Sequence, residues 1–304
     1  MTSILKPLST ALFGGLLLSG CVLDEDNDGY TVDVQVGDVV KGVAEVTVTV
    51  SGDGVAEGQS INVTPHMRMV DADDNTTMEH GTPFSINEGE LDANGQFKTT
   101  AYFLMGSKNM SGEKAGDWSI NIEYNDAKET FPITVDMMMS DKKSLTGGDT
   151  DQINSEMDMS SGGMEATSNP MPSMTARSYY LFDLGRHVMD GMNSFSVYIS
   201  ARESLFEYTP VAVGETLTGG MNDLGITSVK GEMCAAVDCA TNDASWITAM
   251  AGDTGEYKAM DLGLAGDEND EVEVRLTVND TIKKTSDDMD HATFTFSAMN
   301  MSGM

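Results

Sequence analysis

The sequence predicts an all-β protein built from two antiparallel β-sandwich domains. Three observations carry this. Apolar and polar residues alternate with period two in short runs, no segment holds a helical period over three turns, and motifs of the first half recur in order in the second. With 304 residues, the chain is long enough for about two ordinary domains.

Strands are predicted over 30–36, 43–50, 60–64, 96–104, 118–124 and 130–135. In each, β-branched or aromatic residues alternate with polar ones, and Gly, Asn or Asp separates one run from the next. Residues 138–176 break the pattern, being rich in Ser, Gly, Asp, Thr and Met and without an aromatic residue. Such a stretch buries too little apolar surface to offset its ordering entropy, so it reads as a flexible linker. Strands resume over 178–182, 195–200, 226–230, 246–249, 256–262, 271–278 and 293–298.

The second set repeats the first. GQFKTTAYFLMG (95–106) aligns without gaps on GEYKAMDLGLAG (255–266), and INIEYND (120–126) answers VRLTVND (274–280). Both copies close on a strand followed by Met (130–137 and 292–299), and V-x-x-x-M recurs as Val63/Met67 and Val229/Met233. Four coincidences in one order argue for duplication. The expected domains are therefore 30–137 and 177–304, each an immunoglobulin-like sandwich. Trp118 and Trp246 are expected on inward strand faces.

Composition removes several function classes. The chain holds 49 acidic and 17 basic residues, a formal charge of −32, which would repel a phosphate backbone and excludes nucleic acid as a partner. Gly is frequent (31) and Pro sparse (7), so neither collagen nor a proline-rich rod fits, and three Cys do not make a disulfide scaffold. The 24 Met are far more than a globular chain usually carries. There is no G-x-S-x-G, H-E-x-x-H, Walker loop or dinucleotide glycine pattern, so no enzymatic activity and no catalytic residue is expected.

In residues 1–20, Lys6 precedes an apolar run over 11–18 that is too short to span a bilayer and has the size of a secretory signal. Leu-Ser-Gly-Cys at 18–21 then resembles the lipobox of bacterial lipoproteins. The resemblance implies that 1–20 is a signal peptide and that Cys21 becomes the first mature residue, carrying a diacylglycerol and an acyl chain. Several acyl chains together hold a protein stably on a membrane. Val22, rather than Asp, after the anchor implies the outer membrane, facing the periplasm or the cell surface. Removing 1–20 deletes Lys6 and no acid, so −32 becomes −33.

Residues 21–29 form an acidic tether. Its Asp24, Asp26 and Asp28 match the start of a calcium loop, D-x-[DN]-x-[DN]-G, but position 12 is Gln35 rather than Glu. A tether with adventitious Ca²⁺ affinity at 24–29 is the preferred reading. Cys234 and Cys239 close a small loop, and export to an oxidising compartment makes a disulfide the default; a metal pair would lack a second Cys or His pair nearby.

The first copy also groups soft donors: His66, Met67 and Met69, then Met78 and His80 before Gly-Thr-Pro, then Met105 and Met110. This pattern resembles FixH-like and YtkA-like β-sandwich domains, relatives in shape of the CopC copper carriers. It covers about 40–135 through the runs 63–69, 78–83 and 95–106 and Gly116-Asp117-Trp118. The resemblance implies an exported protein that handles copper, with a copper donor or acceptor protein as partner. Thioethers and imidazoles select Cu(I), and the acidic surface attracts any cation. In a strand Met67 and Met69 share one face, and His66 and Arg68 the other.

Other readings stand beside these. Met also fills irregular core gaps, and a His before Gly-Thr-Pro can cap its turn. The Met of the linker, M-D-M and M-P-S-M among them, are scavenging hooks or, more simply, compositional. The second copy lacks the cluster, and His187 and His291 read as solvated loop residues. The expected function is thus a lipid-anchored, methionine-rich envelope protein that binds or delivers Cu(I) through its first domain. The alternative is a non-metal, non-enzymatic envelope lipoprotein whose sandwiches bind a protein partner or act as a spacer.

Overall fold

The structure is a computed structural model that describes residues 29–70, 77–109, 111–136, 142–154, 174–189, 192–239, 245–252, 254–264 and 270–296. Cys21, Asp24, Asp26 and Asp28 lie outside the described residues, as does Met110.

Eight strands form the first sandwich: β1 (Tyr30–Val36), β2 (Val43–Gly52), β3 (Ser60–Val70), β4 (Thr77–His80), β5 (Glu88–Glu90), β6 (Gln96–Tyr102), β7 (Asp117–Tyr124) and β8 (Ala127–Ile133). One sheet runs β1-β2-β6, the other β4-β3-β7-β8 with β5 also on β3. This antiparallel order is an immunoglobulin-like Greek key. The alternation in the sequence is what buries one side of each strand: Val46, Val48 and Val50 of β2, Ile61, Val63 and Met67 of β3, and Trp118, Ile120, Ile122 and Tyr124 of β7 meet in one core.

The second sandwich contains β9 (Lys142–Thr146), β10 (Gln152–Asn154), β11 (Met174–Ala176), β12 (Ser178–Met189), β13 (Met192–Arg202), β14 (Tyr208–Pro210), β15 (Thr216–Leu217), β16 (Leu224–Gly225) and β17 (Val229–Ala235). A four-residue helix α1 (Ala236–Cys239) follows, then β18 (Ile247–Thr248), β19 (Met250–Ala251), β20 (Glu256–Met260), β21 (Glu271–Val278), β22 (Thr281–Ile282) and β23 (Ala292–Thr295). Its sheets run β19-β20-β13-β12-β9 and β18-β17-β21-β22, with β14 on β13 and β23 on β21. The order β12-β13-β20 matches β1-β2-β6, and β18-β17-β21-β22 matches β4-β3-β7-β8. The two matching hairpins share a turn as well. Asn125-Asp126 and Asn279-Asp280 all have positive φ, between 47° and 64°, as a two-residue type I′ hairpin requires.

The structure corrects the linker. Lys142–Thr146 is a strand paired with β12, and Gln152–Asn154 pairs with Met174–Ala176, so part of 138–176 belongs to the second sandwich. Two short features hold it there. Leu145 is fully buried in the second core. Asp151 is buried between Arg177 (Nε to Oδ1, 2.9 Å) and Lys283 (Nζ to Oδ2, 2.7 Å), and Tyr179 donates its hydroxyl to the same carboxylate. Composition averaged over the whole stretch hides a five-residue strand and one buried carboxylate. Residues 155–173 lie outside the described residues.

A second correction concerns the V-x-x-x-M match. In the first copy Val63 faces Ile122 and Met67 faces Trp118, whereas in the second Val229 faces Val278 and Met233 faces Val274. Since Ile122 aligns on Leu276, whose partner is Gly231, the two ladders are offset by two residues. Ala235 and Val272 therefore occupy the places of Met67 and Trp118. Strand register follows turn and pleat rather than the spacing of two residue types. Trp246 is half-buried rather than a core residue, with the Arg275 guanidinium 4.1 Å from its ring.

The two sandwiches meet through a separate apolar cluster of Tyr102, Leu104, Phe182 and Tyr198. Tyr102 and Tyr198 stack with centroids 3.7 Å apart and planes at 5°, and the Tyr198 hydroxyl donates to Phe84 O at 3.1 Å. Lys41 pairs with Asp183 across the same junction.

The I′ turn of the second copy yields one prediction. Asn279 Oδ1 accepts from Thr227 N (2.8 Å), Thr227 Oγ1 (3.0 Å) and Ser228 N (3.2 Å), while its Nδ2 donates to Gly225 O (2.8 Å). Asn279→Ala leaves these groups without that side chain and strains a positive φ; a loss of about 1–3 kcal/mol is expected in urea unfolding.

Candidate metal centre

Strand β3 runs six residues past the predicted end at Thr64 and carries His66, Met67 and Met69 across the sheet. Met67 faces both Trp118 on β7 and His80 on β4, and Met69 faces Met78. Directly opposed residues of paired strands share a face. Met67, Met69, Met78, His80 and Trp118 therefore lie on one side of the sheet. His66 lies on the other, with Arg68 and Glu79.

Gly116 makes room for this face. A Cβ there would stand 2.8 Å from Arg68 O, besides 2.5 Å from the flexible end of Met67 and 3.2 Å from Met69 Cγ, so glycine lets β3 and its two thioethers pack closely against the turn before β7. Met67 is fully buried and Met69 partly so, both against the first core. Met78 is exposed.

His80 closes β4 beside Met105. Its Nδ1 lies 2.9 Å from Gly81 O, and its Nε2 lies 3.2 Å from Met105 Sδ. A carbonyl only accepts, so Nδ1 carries the proton of the neutral ring and Nε2 presents its lone pair to the sulfur. Burial lowers the pKa of His80; the Gly81 bond opposes this, while the charges of Arg202, His66 and Lys142 add to it. The ring is thus neutral at neutral pH, the form that ligates metal. Trp118 fixes the other partner, its Nε1–H donating to Met105 O at 3.0 Å while its ring meets His80 edge-on at 5.4 Å.

The predicted donor set therefore divides. His80 and Met105 are in direct contact, with Met67 and Met69 on the same face. His66 stands apart: its Nε2 is 3.3 Å from Glu79 Oε2, and its ring stacks on Phe206 of the second sandwich at 6.1 Å and 18°. Among the described residues, no group of three or more His, Cys, Asp or Glu is placed to hold a metal ion. Among the described residues the donors gathered here are thioether and imidazole. Cys234 and Cys239 are joined by a disulfide at the end of β17. The acidic tether, with Asp24, Asp26 and Asp28, and the lipidation residue Cys21 fall outside the described residues.

Two features of the centre were not read from the sequence. Trp118 holds Met105 by its backbone, whereas the sequence offered it as a core residue and as part of the Gly116-Asp117-Trp118 run of the resemblance, with no bond to Met105. The turn at Glu203–Tyr208 packs on Gly81 with no sequence signal at all, since it comes from the other sandwich.

Known proteins add little. No protein-family model matches the chain, and no curated protein does. Among solved structures it is similar to a C-terminal 282-residue fragment of intimin, crystallised with the intimin-binding domain of the translocated intimin receptor. Identity is 12%, the TM-score is 0.24, and the match covers 87% of this chain and 62% of that one. The chain thus spans less than two thirds of that fragment. Among the described residues no helix is long and apolar enough to cross a membrane.

Proposed function

We propose that this chain is a lipid-anchored, non-enzymatic envelope protein that binds Cu(I) in its first sandwich, with His80 and Met105 as the primary ligands. One observation carries the metal reading: His80 Nε2 faces the Met105 thioether sulfur at 3.2 Å while Nδ1 is turned to the Gly81 carbonyl, which leaves Nε2 proton-free in the neutral ring. Two lone pairs in contact gain nothing from each other, whereas a soft cation satisfies both. Zn²⁺, a d¹⁰ ion like Cu(I), makes bonds of about 2.0–2.1 Å to imidazole nitrogen and about 2.3 Å to cysteine sulfur, and an ion bonding at similar lengths reaches both atoms with small movement. The Gly81 carbonyl on Nδ1 is the outer-shell partner that metal-bound imidazoles usually have. Met67 and Met69 are the nearby thioethers, and the acidic surface raises the local cation concentration. In the second sandwich Ala235 and Val272 stand at the places of Met67 and Trp118.

The anchor rests on the lipobox-like Leu-Ser-Gly-Cys and on the short apolar run before it. X-ray absorption of the Cu(I)-loaded chain is expected to show both nitrogen and sulfur scatterers at one copper per protein. A spectrum without sulfur, or failure to retain copper on desalting, would overturn the proposal.

A further inference from the structure

We infer that the second sandwich is a working part of the first sandwich's donor site: its Glu203–Tyr208 turn holds Gly81 on both sides of its Cα, at the N–H of the peptide group before it and the carbonyl of the group after it, and so sets which nitrogen of His80 is free. The metal consequence rests on the Cu(I) reading above, but the clamp itself does not.

The contacts converge on one residue, Gly81, whose N–H and C=O belong to adjacent peptide groups. Gly81 N–H donates to Leu205 O at 2.8 Å. The Tyr208 hydroxyl lies between Gly81 O (3.5 Å) and Leu205 O (3.3 Å), and its one proton serves either carbonyl. His80 Nδ1 donates to that Gly81 carbonyl at 2.9 Å. The turn is stiff. Ser204 Oγ accepts from the backbone of both Phe206 and Glu207 at 3.1 Å, Arg202 Nε donates to Ser204 O at 3.0 Å, and Glu203 is ion-paired to buried Arg177 at 2.8 Å.

Gly81 is also the only residue type that fits. A Cβ there would lie 2.9 Å from Phe206 O and 3.2 Å from Phe206 Cα. Its φ is not in the left-handed region, so glycine is needed for space and not for backbone conformation. On the outer face Phe206 stacks on His66, so the turn grips β3 as well as the end of β4.

With the turn in place the Gly81 carbonyl faces Nδ1, and Nε2 is left proton-free toward Met105. With the turn displaced, the carbonyl can rotate. Free neutral imidazole favours the Nε2–H form, which would put a proton between His80 and the sulfur. The second copy of the fold would then act by positioning the ligand of the first.

Gly81→Ala is the direct test, since alanine suits the backbone but not the contact with Phe206. Long-range ¹H–¹⁵N imidazole spectra of the full chain read the tautomer, with His291 as internal control. The wild type is expected to hold His80 as Nδ1–H. Gly81→Ala should mix the tautomers and weaken Cu(I) about 10–100-fold, as loss of an outer-shell partner does. Tyr208→Phe, which removes only a hydroxyl, should move both readouts the same way by less, and serves if the alanine variant does not fold. A tautomer that responds in a chain that takes up no Cu(I) would support the clamp and remove only the metal reading. An Nε2–H wild type, or a His80 tautomer unchanged in both variants, would overturn the clamp.

Discussion

Asp151→Ala is expected to destabilise the protein by about 3–5 kcal/mol, the usual cost of removing one partner from a buried ion pair. The substitution would strand Arg177 and Lys283, both almost fully buried, beside Glu203, the remaining carboxylate of the network. Urea unfolding of the variant would measure the loss, and a midpoint shift within the range of ordinary surface substitutions would contradict it. The same group gives a pH dependence. Burial alone would raise the Asp151 pKa; the hydrogen bonds from Lys283 and Tyr179, the Lys283 charge and the Arg177 bond outweigh it and hold the carboxyl below its usual range. A carboxyl whose folded pKa is depressed contributes stability above its unfolded value of about 3.9, and that stability is lost as pH falls through the folded value. Glu203 works in the opposite sense. Burial raises its pKa, against Arg177 and the Thr209 and Thr218 hydroxyls, so folding gains slightly as it protonates. Acid unfolding of the second sandwich should therefore set in only below about pH 4, and Asp151→Asn should abolish that step.

Trp118→Ala should cost the first sandwich about 3–5 kcal/mol, the range for truncating a buried Trp. Trp118 is almost completely buried, packs edge-on against Phe103 at 5.2 Å, and gives its indole N–H to Met105 O. Calorimetry should show the first sandwich's transition shifted down while the second core keeps its own. Trp118→Phe would retain most of the packing and lose the hydrogen bond, a net change nearer 0.5–1.5 kcal/mol. Equal effects of the two substitutions would mean that the N–H bond, not the packing, dominates.

Much of this architecture was legible in the residues. Strands β1 and β21 were bounded from alternation alone, and the Asn-Asp pairs that end the aligned segments 120–126 and 274–280 form matching turns. What escaped did so for physical reasons. β9 is five residues long, and Asp151 is polar by type, so a segment held by one buried Leu and one buried carboxylate looks like spacer. The register offset between Met67 and Met233 was invisible because residue spacing does not report which partner lies opposite. The same applies to the donor cluster. Period-two reasoning separated His66 from Met67 and Met69 correctly, but only the pairing of β4 with β3 shows that His80 falls on the Met67 side. Met105 reaches His80 through a loop whose path no periodicity encodes, and the Gly81 clamp arises between two parts of the chain more than a hundred residues apart.

The central claim is that His80, and not His66, anchors a Cu(I) site in the first sandwich. A competition titration with a chromophoric Cu(I) chelator, run on the wild type, His80→Ala and His66→Ala, tests it most directly. One equivalent of Cu(I) bound by the wild type and by His66→Ala, but not by His80→Ala, is the predicted result. No uptake by the wild type, or equal affinity in His80→Ala, would contradict it.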